Sequence, residues 1–234
     1  MMNLDTFMYA LLGGILPALL WLLFWLREDK KNPEPNKLIM RTFLLGMLSV
    51  AIVIPMQKGV ENLFPTLLPL QILLWALFEE VLKFLSGYFG GIHTVDDNEP
   101  VDPIIYMITA ALGFVALENT LFILGPLLGG NIPQGIVTGN LRFIGASLLH
   151  VVSSGLVGYS LAYSFYASRK KKVLKVAAGL VGAVIIHSIF NLLILGWGER
   201  GMMLAFFAIW IGVIALLWGF ERVKVIARGS VSGL

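Results

Sequence analysis

Cysteine is absent from the 234 residues, and charged residues make up only 13% of them. Without cysteine the chain has no disulfide framework, no thiol nucleophile and no thiolate metal ligand. Soluble domains ordinarily have about 25% charged residues, so the chain is poor in charge for its length. Together with 58% hydrophobic residues and a mean hydropathy of +0.85, this scarcity predicts an all-α, polytopic membrane protein.

The basic residues are placed as in a membrane protein and not as in a nucleic-acid-binding protein. The isoelectric point is about 9.2, but the lysines and arginines cluster beside apolar runs, at 27–41, 169–175 and 222–228. The positive-inside rule puts such segments in the cytoplasm. With seven spans, we therefore expect a multi-pass protein of the cell membrane with its N-terminus outside and its C-terminus cytoplasmic. The expected partner surface is the lipid bilayer, and no nucleic acid is expected.

Seven apolar runs approach or exceed the roughly 20 residues that a spanning helix needs. They cover 7–26, 38–56, 68–90, 104–127, 141–167, 174–197 and 202–220. The first run lacks the basic segment and the cleavage site of a signal peptide, so we expect it to be retained. We predict a single integral membrane domain over 1–234. Its core is a four-helix bundle of the third to sixth spans, at about 68–197, with peripheral helices at 7–26, 38–56 and 202–220.

A few ionisable residues lie deep within these runs, where charge is costly. A charged side chain at a helix centre costs about 2.5–3.5 kcal/mol on insertion scales, which makes such residues functional candidates. At about 1.5 Å per residue from the outer end of each span, the glutamates and histidines all lie roughly 14–17 Å deep. Taken singly, each has a structural explanation as a buried ion pair, a packing histidine or an interhelical hydrogen bond. Their common depth favours one polar site, built by Glu79, Glu80 and Lys83 of the third span, Glu118 of the fourth, His150 of the fifth and His187 of the sixth.

Helical spacing predicts which of these side chains share a face. Glu79 and Lys83 are four residues apart and are expected to pair. Glu80 is turned by about 100 degrees from Glu79, so one glutamate faces the site while the other supports it. Which glutamate takes which part is left open by the spacing. The same four-residue spacing adds Ser154 beside His150, and Asn191 beside His187.

Buried glutamate and histidine suit hydrolysis of an amide by an activated water. Glutamate accepts the proton of the water, and a second histidine or an asparagine amide donates to the developing oxyanion. Two histidines and one glutamate also form a catalytic zinc set, for which Glu118, His150 and His187 are candidates. The HExxH signature is absent, so both a metal-free and a metal-dependent mechanism stay open. A serine nucleophile is disfavoured because the chain has no GxSxG motif.

Four motifs carry a resemblance to a known family. They are EEVLK (79–83), GFVALEN (113–119), Arg142 followed by HVVSSGLVGY (150–159), and HSIFN (187–191). In order and spacing they resemble the EExxK, FxxxE, arginine-then-histidine and HxxxN motifs of the PrsW-type intramembrane proteases, over about 70–195. That family is distantly similar to the CAAX prenyl endopeptidases, in which a glutamate–histidine pair is thought to activate water without a metal. Glu118 stands where that relative has a histidine.

The resemblance implies an intramembrane endopeptidase whose substrate is a membrane-anchored protein, such as an anti-sigma factor, cut on its outer side. We expect one residue of the glutamate pair to be the base, and the other to support it. Lys83 and Ser154 are expected to support the site, and His150 and His187 to position the water or the oxyanion. Glu118 is expected to orient a histidine or to bind a metal. Asn191 donates a hydrogen bond, and Arg142 binds a substrate carbonyl or a phospholipid. The alternatives are a proton- or cation-coupled transporter that uses the same carboxylates, and a catalytically silent scaffold for transmembrane partners.

Overall fold

A computed structural model describes residues 4–29 and 32–231 of the chain. Throughout these ranges the regular structure is helical, with no β-strand, which confirms the predicted all-α fold. Eight α-helices follow one another: α1 Leu4–Leu26, α2 Asn36–Leu63, α3 Leu68–Gly87, α4 Asp102–Leu128, α5 Ile132–Leu141, α6 Ser147–Ala162, α7 Arg169–Gly196 and α8 Gly198–Val231. Short π-helical segments extend α3 at Tyr88–Ile92 and join α5 to α6 at Arg142–Ala146.

Six segments of the described chain are long and apolar enough to cross a membrane. They are Leu4–Asp29, Asn36–Leu63, Asp102–Leu128, Ile132–Ala162, Arg169–Gly196 and Gly198–Val225. Helix α3 has 20 residues, which is also sufficient to span a bilayer, but it carries three ionisable residues in its second half. The protein is therefore a multi-pass membrane protein, and α3 differs from its neighbours in polarity.

The fifth span begins earlier than the sequence predicts. It was expected to start at residue 141, whereas α5 begins at Ile132. The Asn131 side chain accepts a hydrogen bond from the Gln134 backbone N–H at 3.1 Å, and Pro133 occupies the first turn, so the local sequence starts a helix there. Polar and small residues between 131 and 140 lower the local hydrophobicity, which conceals this helix in a search for apolar runs.

Helix α4 is the centre of the bundle, and it packs most extensively against α1, α2 and α6. Helix α2 approaches it at two glycines: a Cβ on Gly113 would overlap the Phe43 carbonyl oxygen, and a Cβ on Gly46 would overlap the Ala110 carbonyl oxygen. Small residues allow this backbone contact between membrane helices. Helix α2, which was predicted to be peripheral, therefore packs directly against the central helix. Helices α3, α4, α6 and α7 still supply the deep ionisable residues.

Candidate active site

The predicted site residues surround one cavity of about 470 Å³. Six of the nine line it directly, and the other three lie behind its wall, fully buried. The lining residues are Glu79, Glu118, Arg142, His150, His187 and Asn191, and the residues behind the wall are Glu80, Lys83 and Ser154. The structure thus brings all nine predicted residues into one region, and it separates the two adjacent glutamates.

Glu80 is fully buried and does not line the cavity, although its hydrogen-bond partner His187 does. Its Oε1 accepts hydrogen bonds from Lys83 Nζ at 2.5 Å, from His187 Nδ1 at 2.7 Å and from Ser153 Oγ at 2.9 Å. Its Oε2 accepts a longer one from Ser154 Oγ at 3.4 Å. Buried charges are tolerated when they are paired and hydrogen-bonded in this way. Glu80 therefore holds α3 against α6 and α7.

Glu79 presents its carboxylate to the cavity and has few partners. Its Oε1 accepts a hydrogen bond from Gln57 Nε2 at 2.8 Å. Its Oε2 is buried and accepts no hydrogen bond from any residue that the structure describes. This Oε2 lies 3.6 Å from His187 Nε2, which is too far for a good direct hydrogen bond. A buried oxygen of this kind is available to a water, a metal ion or a substrate group.

Lys83 does not pair with Glu79, as the four-residue spacing predicted, but with Glu80, three residues away. Its ammonium group also lies 2.8 Å from His150 Nδ1. This partner explains the difference, because Lys83 Nζ bridges α3 and α6 between the carboxylate and the imidazole. An ammonium group only donates, so Nδ1 accepts and the proton of a neutral His150 is assigned to Nε2. That Nε2 lies 3.3 Å from Glu118 Oε2.

Arg142 reaches into the site instead of lying free at the membrane surface. Its guanidinium group forms an ion pair with Glu118, and its Nε donates to Asn119 Oδ1 at 2.6 Å. The group also stacks 3.9 Å above the centre of the Phe122 ring. Arg142 is the first residue of the π-helical segment between α5 and α6, and its side chain contacts residues of α4. Glu118 is therefore held from two sides, by Arg142 and by His150.

Three side chains could hold a metal ion, and they differ from the predicted set. One ligand atom from each of Glu79, His150 and His187 lies within 4.8 Å of the other two, so Glu79 takes the place that the sequence suggested for Glu118. His187 suits a metal ligand: its Nδ1 donates to the Glu80 carboxylate, so in the neutral ring Nε2 carries a lone pair towards Glu79 Oε2.

His150 suits a metal less well. Because Lys83 donates to its Nδ1, a neutral His150 keeps a proton on Nε2 and has no lone pair for an ion. The unpartnered Glu79 Oε2 and the unprotonated His187 Nε2 nevertheless face each other across 3.6 Å. The donor set therefore fits a divalent metal held by Glu79 and His187, with His150 as a third ligand only after its proton moves.

The comparison with known proteins identifies a family. Residues 34–218 match the protein family described as "PrsW family intramembrane metalloprotease". The chain belongs to this family. It is 27% identical to "Protease PrsW" of Halalkalibacterium halodurans over 228 residues, which cover 93% of this chain and 97% of the relative. The corresponding protein of Oceanobacillus iheyensis is 29% identical over 207 residues, covering 87% of this chain and 91% of the relative. No solved structure matches the chain.

Membership in the PrsW family confirms the predicted resemblance and makes the protein an intramembrane protease. It favours this function over the transporter and the scaffold, which the sequence left open. The family match also covers the whole of the helical region that carries the site, from α2 to most of α8.

In this PrsW-family protein, Gln57, Asn119 and Ser153 also contact the site residues, but none of the three was among the predicted site residues. Asn119 and Ser153 lie within the recognised motifs, whereas Gln57 lies in none of them. Gln57 also lies one residue beyond the predicted second span, whereas α2 continues through Pro55 to Leu63. The signal that could have found Asn119 and Ser153 is their position next to Glu118 and Ser154 in the motifs.

Proposed function

We propose that the protein hydrolyses a peptide bond of a membrane-anchored protein with a water held between Glu79 and His187. One observation carries the proposal. Glu79 Oε2 is buried, accepts no hydrogen bond from the described residues, and faces His187 Nε2 across 3.6 Å at the cavity wall. Two acceptor atoms that face each other in this way are suited to a water that donates to both.

In the proposed reaction, Glu79 is the general base. Gln57 fixes one oxygen of its carboxylate at 2.8 Å, and the other oxygen accepts the proton of the attacking water. Glu80 orients His187 through the 2.7 Å hydrogen bond to Nδ1, so that Nε2 stays directed at the water. Protonated Glu79 then returns its proton to the leaving amine. General base catalysis of this type contributes a factor of about 10²–10⁴.

The developing oxyanion needs a hydrogen-bond donor on the same cavity wall. Asn191 lines the cavity one helical turn beyond His187, so its amide is the proposed donor. Glu118 holds His150 and Arg142 in place, and the Arg142 guanidinium adds positive charge near the substrate carbonyl. In a site shielded from water, such preorganised charges stabilise the transition state more strongly than in solution.

A divalent metal such as zinc is compatible with the same atoms, and the family description as a metalloprotease supports it. Glu79 and His187 would hold the ion. When bound, it would polarise the substrate carbonyl and favour ionisation of a bound water. Glu80 would then keep its place behind His187, as carboxylates do behind metal-bound histidines.

The cavity reaches one end of the bundle, and this supports a cut on the outer side. Glu61 near the end of α2, Leu195 near the end of α7 and Met202 near the start of α8 all belong to its lining. This end of the bundle is opposite to the basic segments that the positive-inside rule puts in the cytoplasm. A substrate of the anti-sigma-factor class, with one span and an outer domain, fits a cavity that opens there.

The test is cleavage of a tagged single-span protein with an outer domain, reconstituted with the protease in liposomes. Glu79→Gln should lower the cleavage rate by a factor of about 10²–10⁴, because the amide cannot accept the proton. Glu61→Gln is the matched control: it makes the same change on the same cavity wall, and it should cleave at nearly the wild-type rate. Wild-type cleavage by Glu79→Gln would refute the proposal.

A second measurement separates the two forms of the mechanism. Purified protein is dialysed against a chelator and assayed before and after zinc is added back. If activity is lost after dialysis and zinc restores it, the protease uses the metal-bound form of the mechanism. Full activity after metal removal, verified by elemental analysis, assigns the metal-free form in which Glu79 alone activates the water.

A further inference from the structure

A second group of carboxylates lies at the other end of the bundle, far along the helices from the cavity. Asp29 ends the short 3-10 turn after α1, and Glu34 lies in the connection to α2. Asp97 and Glu99 precede α4, and Asp102 is its first residue. One carboxylate oxygen from each of Asp29, Glu99 and Asp102 lies within 4.8 Å of the other two. Three acidic side chains from the end of α1 and the start of α4 therefore lie close together.

Burial makes this cluster different from an ordinary acidic surface. Asp29 is only 5% exposed and Asp102 is 0% exposed. Asp102 Oδ2 accepts the backbone N–H groups of Asn98 and Glu99, each at 2.8 Å. In contrast, Asp29 Oδ2 and Asp102 Oδ1 are buried and accept no hydrogen bond from the described part of the chain. Buried carboxylates are stable when they are paired with a cation or coordinate a metal.

The described neighbours do not supply that positive charge by direct contact. Lys224, on α8, donates to Glu28 at 2.8 Å and to Glu221 at 2.7 Å, and forms no ion pair with the cluster. Glu34 accepts the Tyr106 hydroxyl, which neutralises none of its charge. Burial and the neighbouring Asp102 carboxylate raise the pKa of Asp97 to about 7, as expected where negative charge is concentrated.

We infer that Asp29, Glu99 and Asp102 bind a hard divalent cation of the Ca²⁺ and Mg²⁺ class. All the donors are carboxylate oxygens, the ligands that these two ions prefer, and the cluster contains no imidazole or thiolate that would favour zinc. Oxygens bound to one Ca²⁺ lie at most about 5 Å apart, because each is about 2.3–2.6 Å from the ion. The 4.8 Å limit on this cluster is within that range.

The cation would join the end of α1 to the start of α4. These two helices pack closely along their length, where a Cβ on Gly14 would overlap Thr120. An ion at their common end would fix α4, which carries Glu118, relative to the first connection. The cluster lies at the end of the bundle with the basic segments, so the ion would come from the side predicted to be cytoplasmic. Its role would be structural, and it is independent of any metal in the catalytic cavity.

The experiment measures thermal unfolding of the full-length protein in detergent by tryptophan fluorescence. The protein is stripped with EDTA, exchanged into clean buffer, and titrated with MgCl₂ or CaCl₂ at constant ionic strength. Wild-type Tm should rise by several degrees as the site fills, since a ligand that binds only the folded state stabilises it. The variant Asp29→Asn with Asp102→Asn should show no such rise, and its Tm without cation should not be lower than that of wild type.

Two controls make the outcome specific. Glu199→Gln removes an exposed carboxylate at the opposite end of the bundle and should keep the full response. His187→Ala removes a ligand of the catalytic cavity and should also keep it. If the double aspartate variant does not fold, Mn²⁺ binding is measured instead, from the decrease of the free Mn²⁺ electron paramagnetic resonance signal. The two proteins compared are His187→Ala and the double variant His187→Ala with Asp29→Asn. The inference is overturned if wild-type Tm does not respond, or if the aspartate variants respond equally.

Discussion

Replacement of Lys83 with methionine should strongly destabilise the protein, and simultaneous replacement of Glu80 should recover much of the loss. The Lys83 side chain is fully buried, and its ammonium group donates to Glu80 Oε1 at 2.5 Å and lies 2.8 Å from His150 Nδ1. Methionine has a similar length and an apolar character, so the change chiefly removes the charge. Glu80 then keeps its negative charge without its ammonium partner.

The magnitude follows from the burial of both groups. Removal of one partner from a buried ion pair costs about 3–5 kcal/mol, because the other charge is left without compensation. Lys83→Met and Glu80→Gln should each cost about this much. The double variant leaves no unpaired charge, so it should cost at least about 3 kcal/mol less than the sum of the two single changes. His150 adds little to this difference, because its tautomer can change once the ammonium group is gone.

The assay is a double-mutant cycle on reversible unfolding in mixed detergent micelles, with the free energy of unfolding measured for all four proteins. Leu82→Met, which lies beside Lys83 on the same helix and is partly exposed, controls for the introduction of methionine. Additive costs, with a coupling energy below about 0.5 kcal/mol, would show that the pair does not exist as an ion pair and would refute the reasoning.

Three further predictions follow from single contacts. Gly113→Ala should lower the free energy of unfolding by about 1–3 kcal/mol, because the new methyl group overlaps a carbonyl oxygen of α2. Gly59 has open space around it, so the control Gly59→Ala should change this free energy by no more than about 1 kcal/mol. Both are measured by thermal or denaturant unfolding. Gln57→Leu should lower kcat about fivefold to tenfold with KM nearly unchanged, since it removes a hydrogen bond of about 1 kcal/mol from Glu79, the proposed base. A change confined to KM would contradict this role. Arg142→Lys should reduce the cleavage rate about tenfold while Tm changes little, because lysine cannot contact Glu118 and the Asn119 amide together. An unchanged cleavage rate would contradict this prediction.

The depth of a residue along a membrane helix can be predicted from the sequence, whereas the neighbouring helix that its side chain faces is harder to predict. A residue rises by about 1.5 Å, so counting from the outer end of each span put Glu118, His150 and His187 at one level. In the structure they line the same cavity. The depth of His150 was counted from residue 141, whereas α5 begins nine residues earlier, at Ile132. The additional helix lies on the outer side of residue 141, so it does not change that count.

The partners of Lys83 could not be predicted, because they depend on which helix faces α3. The four-residue spacing predicted a pair with Glu79, whereas Lys83 pairs with Glu80 and contacts His150 on α6. Gln57 was missed for a related reason: an uncharged amide near the end of an apolar run looks like a normal helix boundary. Only the packing of α2 against α3 gives it a carboxylate to bind.

The two adjacent glutamates are best understood by the hydrogen bonds that each accepts. Glu80 accepts four, from Lys83, His187 and two serines, and it does not line the cavity. Glu79 accepts one, from Gln57, and keeps a buried oxygen towards His187 and the cavity. A carboxylate that already satisfies four donors has little capacity left for a water, whereas one with an unpartnered oxygen needs such a ligand. The proposed division between a supporting glutamate and a reacting one therefore rests on rotation about α3, since a turn of about 100 degrees separates Glu80, which contacts α6 and α7, from Glu79, which lines the cavity.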